Sequence, residues 1–249
     1  LPIFAALTLA PNIRNNENIP NEDSRDVQID AGNIFDPNRF PGLDRVEDQS
    51  RVTYGVRTGL YGYDGSHGDI FLGQSYRLNA DDNPFPVGSG LDERTSDIVG
   101  EVTAQLRDAA SLNYRFQLNS NNLASQRHEV DAYARWNKLS LSSTYLFAKA
   151  LGGTDIADSR DQIRGNLAYD VIKDWRLRVG ATQDLGETGG LRQAQAGIDH
   201  YGQCLSWSLT GERNLTEDAS GESDTVVLFS IGLKNLGEFQ SSASAGAGN

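Results

Sequence analysis

The chain has 249 residues, 34 of them acidic against 22 basic, and a net charge of -12 that argues against a nucleic-acid partner. No stretch approaches the ~18–20 apolar residues of a transmembrane helix, and the opening LPIFAALTLAP lacks the basic start and small-residue cleavage site of a signal peptide. A single Cys excludes an internal disulfide framework, and the lack of any Met reads as a processed chain or an excised piece.

Sustained helical stripes are nearly absent, and apolar residues instead alternate at period two, the mark of a strand with two unlike faces. The spacing predicts about twelve strands, at 2–10, 50–63, 69–79, 96–107, 111–120, 127–137, 139–149, 160–171, 175–185, 191–201, 204–213 and 224–235. In chain order, Val52, Tyr54, Val56 and Leu60 alternate with Arg51, Thr53 and Arg57. Leu112, Tyr114, Phe116 and Leu118 interleave with Asn113, Arg115, Gln117 and Asn119. Leu139, Leu141, Tyr145 and Phe147 oppose Ser140, Ser142 and Thr144, and Trp175, Leu177 and Val179 oppose Arg176 and Arg178. Leu205, Trp207 and Leu209, then Val227, Phe229, Ile231 and Leu233, repeat the pattern. The tail 241–249, SSASAGAGN, is low in complexity and is expected to be disordered.

The connections alternate in length. Short ones fall at 64–67, 108–110, 137–138, 173–174 and 202–203, and longer polar ones at 11–48, 80–95, 121–126, 150–159, 186–190 and 214–223. An outer-membrane barrel has short periplasmic turns and longer extracellular loops, because its hairpins all enter from one side. A soluble β-sandwich shares the period-two pattern but has no reason to keep that order of loops. The predicted fold class is therefore all-β, an antiparallel transmembrane outer-membrane β-barrel whose polar face lines a wet lumen.

No constellation for catalysis, cofactor or metal stands out. His67, His128 and His200 lack ligand spacing. The acidic pairs Asp81–Asp82 and Asp155–Asp158 lack a calcium-loop pattern. Gly152–Gly153 and Gly189–Gly190 precede no helix that could cradle a phosphate, and no nucleophile elbow is present.

Residues 18–47 read NIPNEDSRDVQIDAGNIFDPNRFPGLDRVE. Pro20, Asn21, Asp23, Ser24, Phe35, Asn38, Arg39, Phe40, Gly42, Asp44 and Arg45 follow the order and spacing of a block in the lipopolysaccharide-assembly outer-membrane proteins, LptD, also called the organic-solvent-tolerance family. A second block, YGQCLSWSLTGER at 201–213 followed by DTVVLFSIGLKNLGEF at 224–239, resembles that family's last two strands. The resemblance implies that residues 1–240 form the C-terminal part of a wall of about 26 strands, in a protein that inserts lipopolysaccharide into the outer leaflet and performs no enzymatic step. It implies a plug lipoprotein of the LptE type inside the barrel. A periplasmic bridge of the LptA type would reach a missing N-terminal domain, and the barrel-assembly machinery and the outer membrane complete the partners. A general porin-like solute channel is the alternative function, and a soluble β-sandwich binding module the next.

The same resemblance implies that Cys204 forms a disulfide with a Cys outside this segment; otherwise it packs as a small hydrophobe. The segment Asn38, Arg39, Phe40, Pro41, Gly42, Asp44 and Arg45 reads as a loop folded into the lumen, with Arg39, Asp44 and Arg45 pairing to block leakage, or as simple loop packing with a Pro41–Gly42 turn. Arg115, Arg135, Arg164, Arg176 and Arg178 are candidates for contacts with lipid A phosphates or core sugars. The plainer reading is salt bridges to Glu101, Glu129, Asp131 and Asp170 across neighbouring strands.

Overall fold

The computed structural model describes residues 2–10, 20–24, 27–79, 83–150, 159–187, 189–215, 224–234 and 237–246. The pairs Asp81–Asp82 and Asp155–Asp158, and Gly152–Gly153, lie outside them. Among the described residues there is no helix. Thirteen strands form one sheet in sequence order, from β1 to β13.

The strands are β1 (Ile3–Thr8), β2 (Arg51–Tyr61), β3 (His67–Arg77), β4 (Ile98–Leu106), β5 (Ala110–Leu118), β6 (Ser125–Trp136) and β7 (Leu139–Ala148). They continue as β8 (Arg160–Ile172), β9 (Trp175–Asp184), β10 (Gly190–Tyr201), β11 (Leu205–Asn214), β12 (Asp224–Leu233) and β13 (Gly237–Gly246). All twelve predicted strands are present. The thirteenth includes residues 241–246 of the tail expected to be disordered, and 247–249 lie outside the described residues. Residues 241–246 pair antiparallel with β12, from Leu233 opposite Gly237 to Asp224 opposite Gly246. Ser, Ala and Gly carry too little apolar contrast to show an alternation, whereas ladder pairing needs only the backbone.

The short turns use residues that tolerate left-handed backbone. Asn137 has a φ of 53°, Asp174 of 67° and Gly65 of 87°. Such conformations suit tight hairpins, and Asn, Asp and Gly adopt them at least cost. Arg107, also at positive φ (48°), donates from Nε to Asp64 Oδ2 at 3.0 Å, tying two neighbouring short turns together.

The chain divides into two compact units. The first holds residues 1–107, 111–130 and 146–160. Here one face of β2–β4 is covered by the connection that precedes β2 and by residues 83–97. The buried cluster is Val27, Ile29, Ile34, Phe40, Phe71, Phe85, Leu91 and Val99. On the opposite face Tyr54, Val56, Ile70, Leu72 and Tyr76 are exposed.

The second unit holds residues 108–110, 131–145 and 161–249. Leu177 stands opposite Ile198, which stands opposite Leu209, which stands opposite Phe229. Leu167, Leu177, Val179, Leu209, Val227 and Phe229 are all exposed, although a water-soluble sheet would cover such a row. Both units thus turn apolar side chains outward and keep their charges on the other face, the arrangement that a bilayer solvates.

Candidate functional site

The covered face of the first unit is built from the connection before β2. Asp30 starts it, its Oδ1 accepting from the N–H groups of Gly32 (2.7 Å) and Asn33 (2.9 Å) and folding residues 30–35 into a turn. That turn delivers Ile34 into the cluster and sets Phe35 edge-on to Phe71, ring centroids 6.3 Å apart. Asn38 then closes a ten-residue loop. Its Nδ2 donates to the Arg45 carbonyl at 3.0 Å, and its Oδ1 accepts from the Glu47 N–H at 3.0 Å. Phe40, buried inside, stacks on Phe85 at 4.8 Å. Pro41 and Leu43 stay exposed at the tip.

Two aspartates clamp this tip to the upstream PNEDS segment. Asp23 accepts from the N–H groups of Leu43 (2.9 Å) and Asp44 (3.1 Å). Asp44 accepts reciprocally from those of Glu22 (2.8 Å) and Asp23 (3.2 Å). The Leu43 N–H, helped by the Ser24 hydroxyl, lowers the Asp23 pKa to about 2. A Cβ at Gly42 would lie 2.1 Å from Asp23 Oδ1, so only glycine lets the two segments close.

The buried charges differ from the expected set. Arg39 pairs with Glu47, Nε to Oε2 at 2.8 Å with a second contact from Nη2 to Oε1, while the Asp44 carboxylate is occupied by backbone. Arg51, the first residue of β2, reaches the same Glu47 at 2.9 Å and caps the carbonyls of Asp36 and Pro37. Long polar side chains paired eight and four positions apart outside any helix give no strand-period signal, so Glu47 and Arg51 were not singled out by sequence. Asp97 was missed likewise. It accepts from Gln117 Nε2 (2.7 Å) and the Ser120 N–H (3.2 Å), and burial raises its pKa. Gly90, at φ 77°, leaves room for Gln117 and Ile29.

The five singled-out arginines lie on the polar strand faces. Arg115 meets Glu129 at 2.7 Å, Arg176 meets Asp170 at 2.7 Å, and Arg135 meets the same Asp170 at 3.6 Å. Arg178 forms a two-pronged pair with Asp199, Nε to Oδ2 at 2.6 Å and Nη2 to Oδ1 at 2.7 Å. Asp199 was not among the expected partners, although its parity on β10 places it there. Arg164 meets neutral acceptors, Thr182 Oγ1 at 3.2 Å and Gln193 Oε1 at 3.3 Å, and no carboxylate within ion-pair distance among the described residues. Asp131 accepts from the Thr144 hydroxyl at 2.9 Å, and Glu101 lies 3.8 Å from Arg57. Cys204 follows the turn between β10 and β11 as an exposed free thiol, its carbonyl accepting from the Lys234 N–H at 3.1 Å. No cluster of metal-ligating groups occurs among the described residues.

The model of the family described as LptD, LPS transport system D, matches residues 4–175. The chain belongs to the LptD family. The LPS-assembly protein LptD of Acinetobacter baumannii is 25% identical over 232 residues, which are 90% of this chain and 28% of that protein. Its counterpart in Shewanella oneidensis is 26% identical over 204 residues, 76% of this chain and 25% of that protein. The chain thus spans roughly a quarter of the length of the curated LptD proteins it matches. An engineered variant of the Rh. blastica porin aligns with a TM-score of 0.43 at 10% identity, over 80% of this chain and 87% of that one. As a member of the LptD family, the chain is a stretch of outer-membrane β-barrel whose apolar face meets lipid.

Proposed function

We propose that this chain is the C-terminal wall segment of a translocon that inserts lipopolysaccharide into the outer leaflet of the outer membrane. The observation that carries the reading is membership of the LptD family over most of the chain. The role is non-enzymatic. The strands supply a wall that is apolar toward lipid and ionic toward the lumen, and the connection before β2 folds onto the lumen face, where it narrows the passage. Partners fit this division of labour: a plug lipoprotein against the polar strand faces, a periplasmic bridge reaching a domain outside this segment, and the barrel-assembly machinery during insertion. Cys204, at a short periplasmic turn, pairs with a Cys outside the segment and ties the wall to that domain. Among the five arginines, Arg164 is the one best placed for a lipid A phosphate, because among the described residues its charge has only neutral acceptors beside it.

Conditional depletion of the full-length protein in its own host tests the reading. Newly made lipopolysaccharide should stop reaching the cell surface while outer-membrane proteins continue to arrive. Normal lipopolysaccharide delivery with reduced small-solute uptake would instead make the barrel a porin-like channel.

A further inference from the structure

The outward face of β1–β4 carries an apolar groove of about 250 Å³, lined by Ile3, Tyr54, Val56, Leu72, Gln74 and Ile98. Ile3, Val56 and Leu72 are direct cross-strand neighbours and form one row. Tyr54 and Gln74 form the next row toward Arg51, the end of β2 that joins the long connection. All three residues of the first row are exposed, Ile3 at 72%. The second row places polar atoms on a face that otherwise meets hydrocarbon. The Tyr54 hydroxyl donates to Gln74 Oε1 at 2.6 Å, and Gln74 Nε2 donates to the Ser96 carbonyl at 3.1 Å. That uses one of the two N–H groups of the Gln74 amide. The other has no partner among the described residues, and neither have the lone pairs of the Tyr54 hydroxyl.

An unpaired amide N–H against hydrocarbon is costly, so the position marks a level where the surrounding lipid itself offers acceptors. Lipids do so where acyl chains join their head groups. We infer that the groove seats one acyl chain of an outer-leaflet lipopolysaccharide molecule as a resident lipid, its ester or amide carbonyl accepting from Gln74. The groove is continuous with the lipid-facing belt of the wall. It lies at the end of the strands that carries the long connections, hence in the outer leaflet. This rests on the orientation given under Proposed function.

The test uses the full-length protein, extracted from outer membranes in mild detergent, with retained lipid identified by native mass spectrometry. Leu72→Trp fills the groove, Gln74→Leu removes the donor, and Ile70→Trp adds the same bulk on the same face outside the groove. Retained lipopolysaccharide should fall roughly fivefold in Gln74→Leu, the equivalent of one hydrogen bond of about 1 kcal/mol. It should be lost in Leu72→Trp and unchanged in Ile70→Trp. Equal retention in all three variants, or phospholipid as the retained species, overturns the assignment. Labelling of Leu43→Cys by a membrane-impermeant maleimide on intact cells, against the wild-type background from Cys204, separates the two claims. Surface labelling with equal retention removes the groove assignment alone, whereas failure to label removes the orientation with it.

Discussion

Glu47 stands between two guanidinium groups that are almost wholly shielded from water, with side-chain exposures of 4% for Arg39 and 2% for Arg51. Glu47→Gln leaves both charges buried without a counter-charge, and should cost on the order of 3–5 kcal/mol. Thermal loss of the folded, heat-modifiable band on gel electrophoresis would show it. Exposed Asp23 and buried Asp97 respond to acid in opposite senses. Asp23 is depressed, so its clamp contributes fully above the ordinary carboxylate value of 3.8 and is lost as pH falls through about 2. Asp97 is raised, so its contribution is present below the ordinary value and lost as pH rises through its elevated one. A carboxyl-carbon NMR titration should therefore place Asp23 below and Asp97 above free aspartate. Asp97→Asn should leave neutral-pH stability unchanged or higher. At this scale the sequence marked the right block but the wrong partners. Gly42 was legible as part of a Pro41–Gly42 turn, whereas the loop closure by Asn38 and the Arg39–Glu47 pair depend on a chain path that no local pattern encodes.

Strands were legible because a lipid-facing wall demands strict alternation, and the signal survives wherever one face carries Leu, Val, Tyr or Phe against Arg, Ser or Gln. It failed at β13, whose Ser, Ala and Gly offer no contrast. It also could not show that the connection before β2 supplies the only hydrophobic cluster buried among the described residues, since that needs Ile29, Ile34 and Phe40 to meet Phe71 and Val99. This packing predicts a separation of effects. Phe71→Ala removes a ring that contacts the loop and should loosen it by about 3–5 kcal/mol. Leu177→Ala, on the exposed lipid face, should change loop stability little. Entry of a large antibiotic normally excluded by the outer membrane should rise in the first variant and not in the second.

For the molecule as a whole, the proposed tie at Cys204 makes a prediction about size. The full-length protein from outer-membrane extracts should change electrophoretic mobility on reduction, because a bond closing a long loop keeps the denatured chain compact. Cys204→Ser should abolish the shift, and a shift that persists in that variant would sink the assignment. The arginine ladder makes another: Arg164→Gln should slow lipopolysaccharide delivery more than Arg178→Gln, whose guanidinium is already committed to Asp199. The packed connection also bears on how such a protein can change over generations. Loops on a bacterial surface are ordinarily free to vary under pressure from phages and antibodies. Here Ile29, Ile34 and Phe40 are interior residues in all but chain position, and escape by substitution there would dismantle the buried cluster. Variation has room at Leu43, 93% exposed, and at Val46, so an immune system facing this surface would find a small changeable tip on an otherwise conservative target.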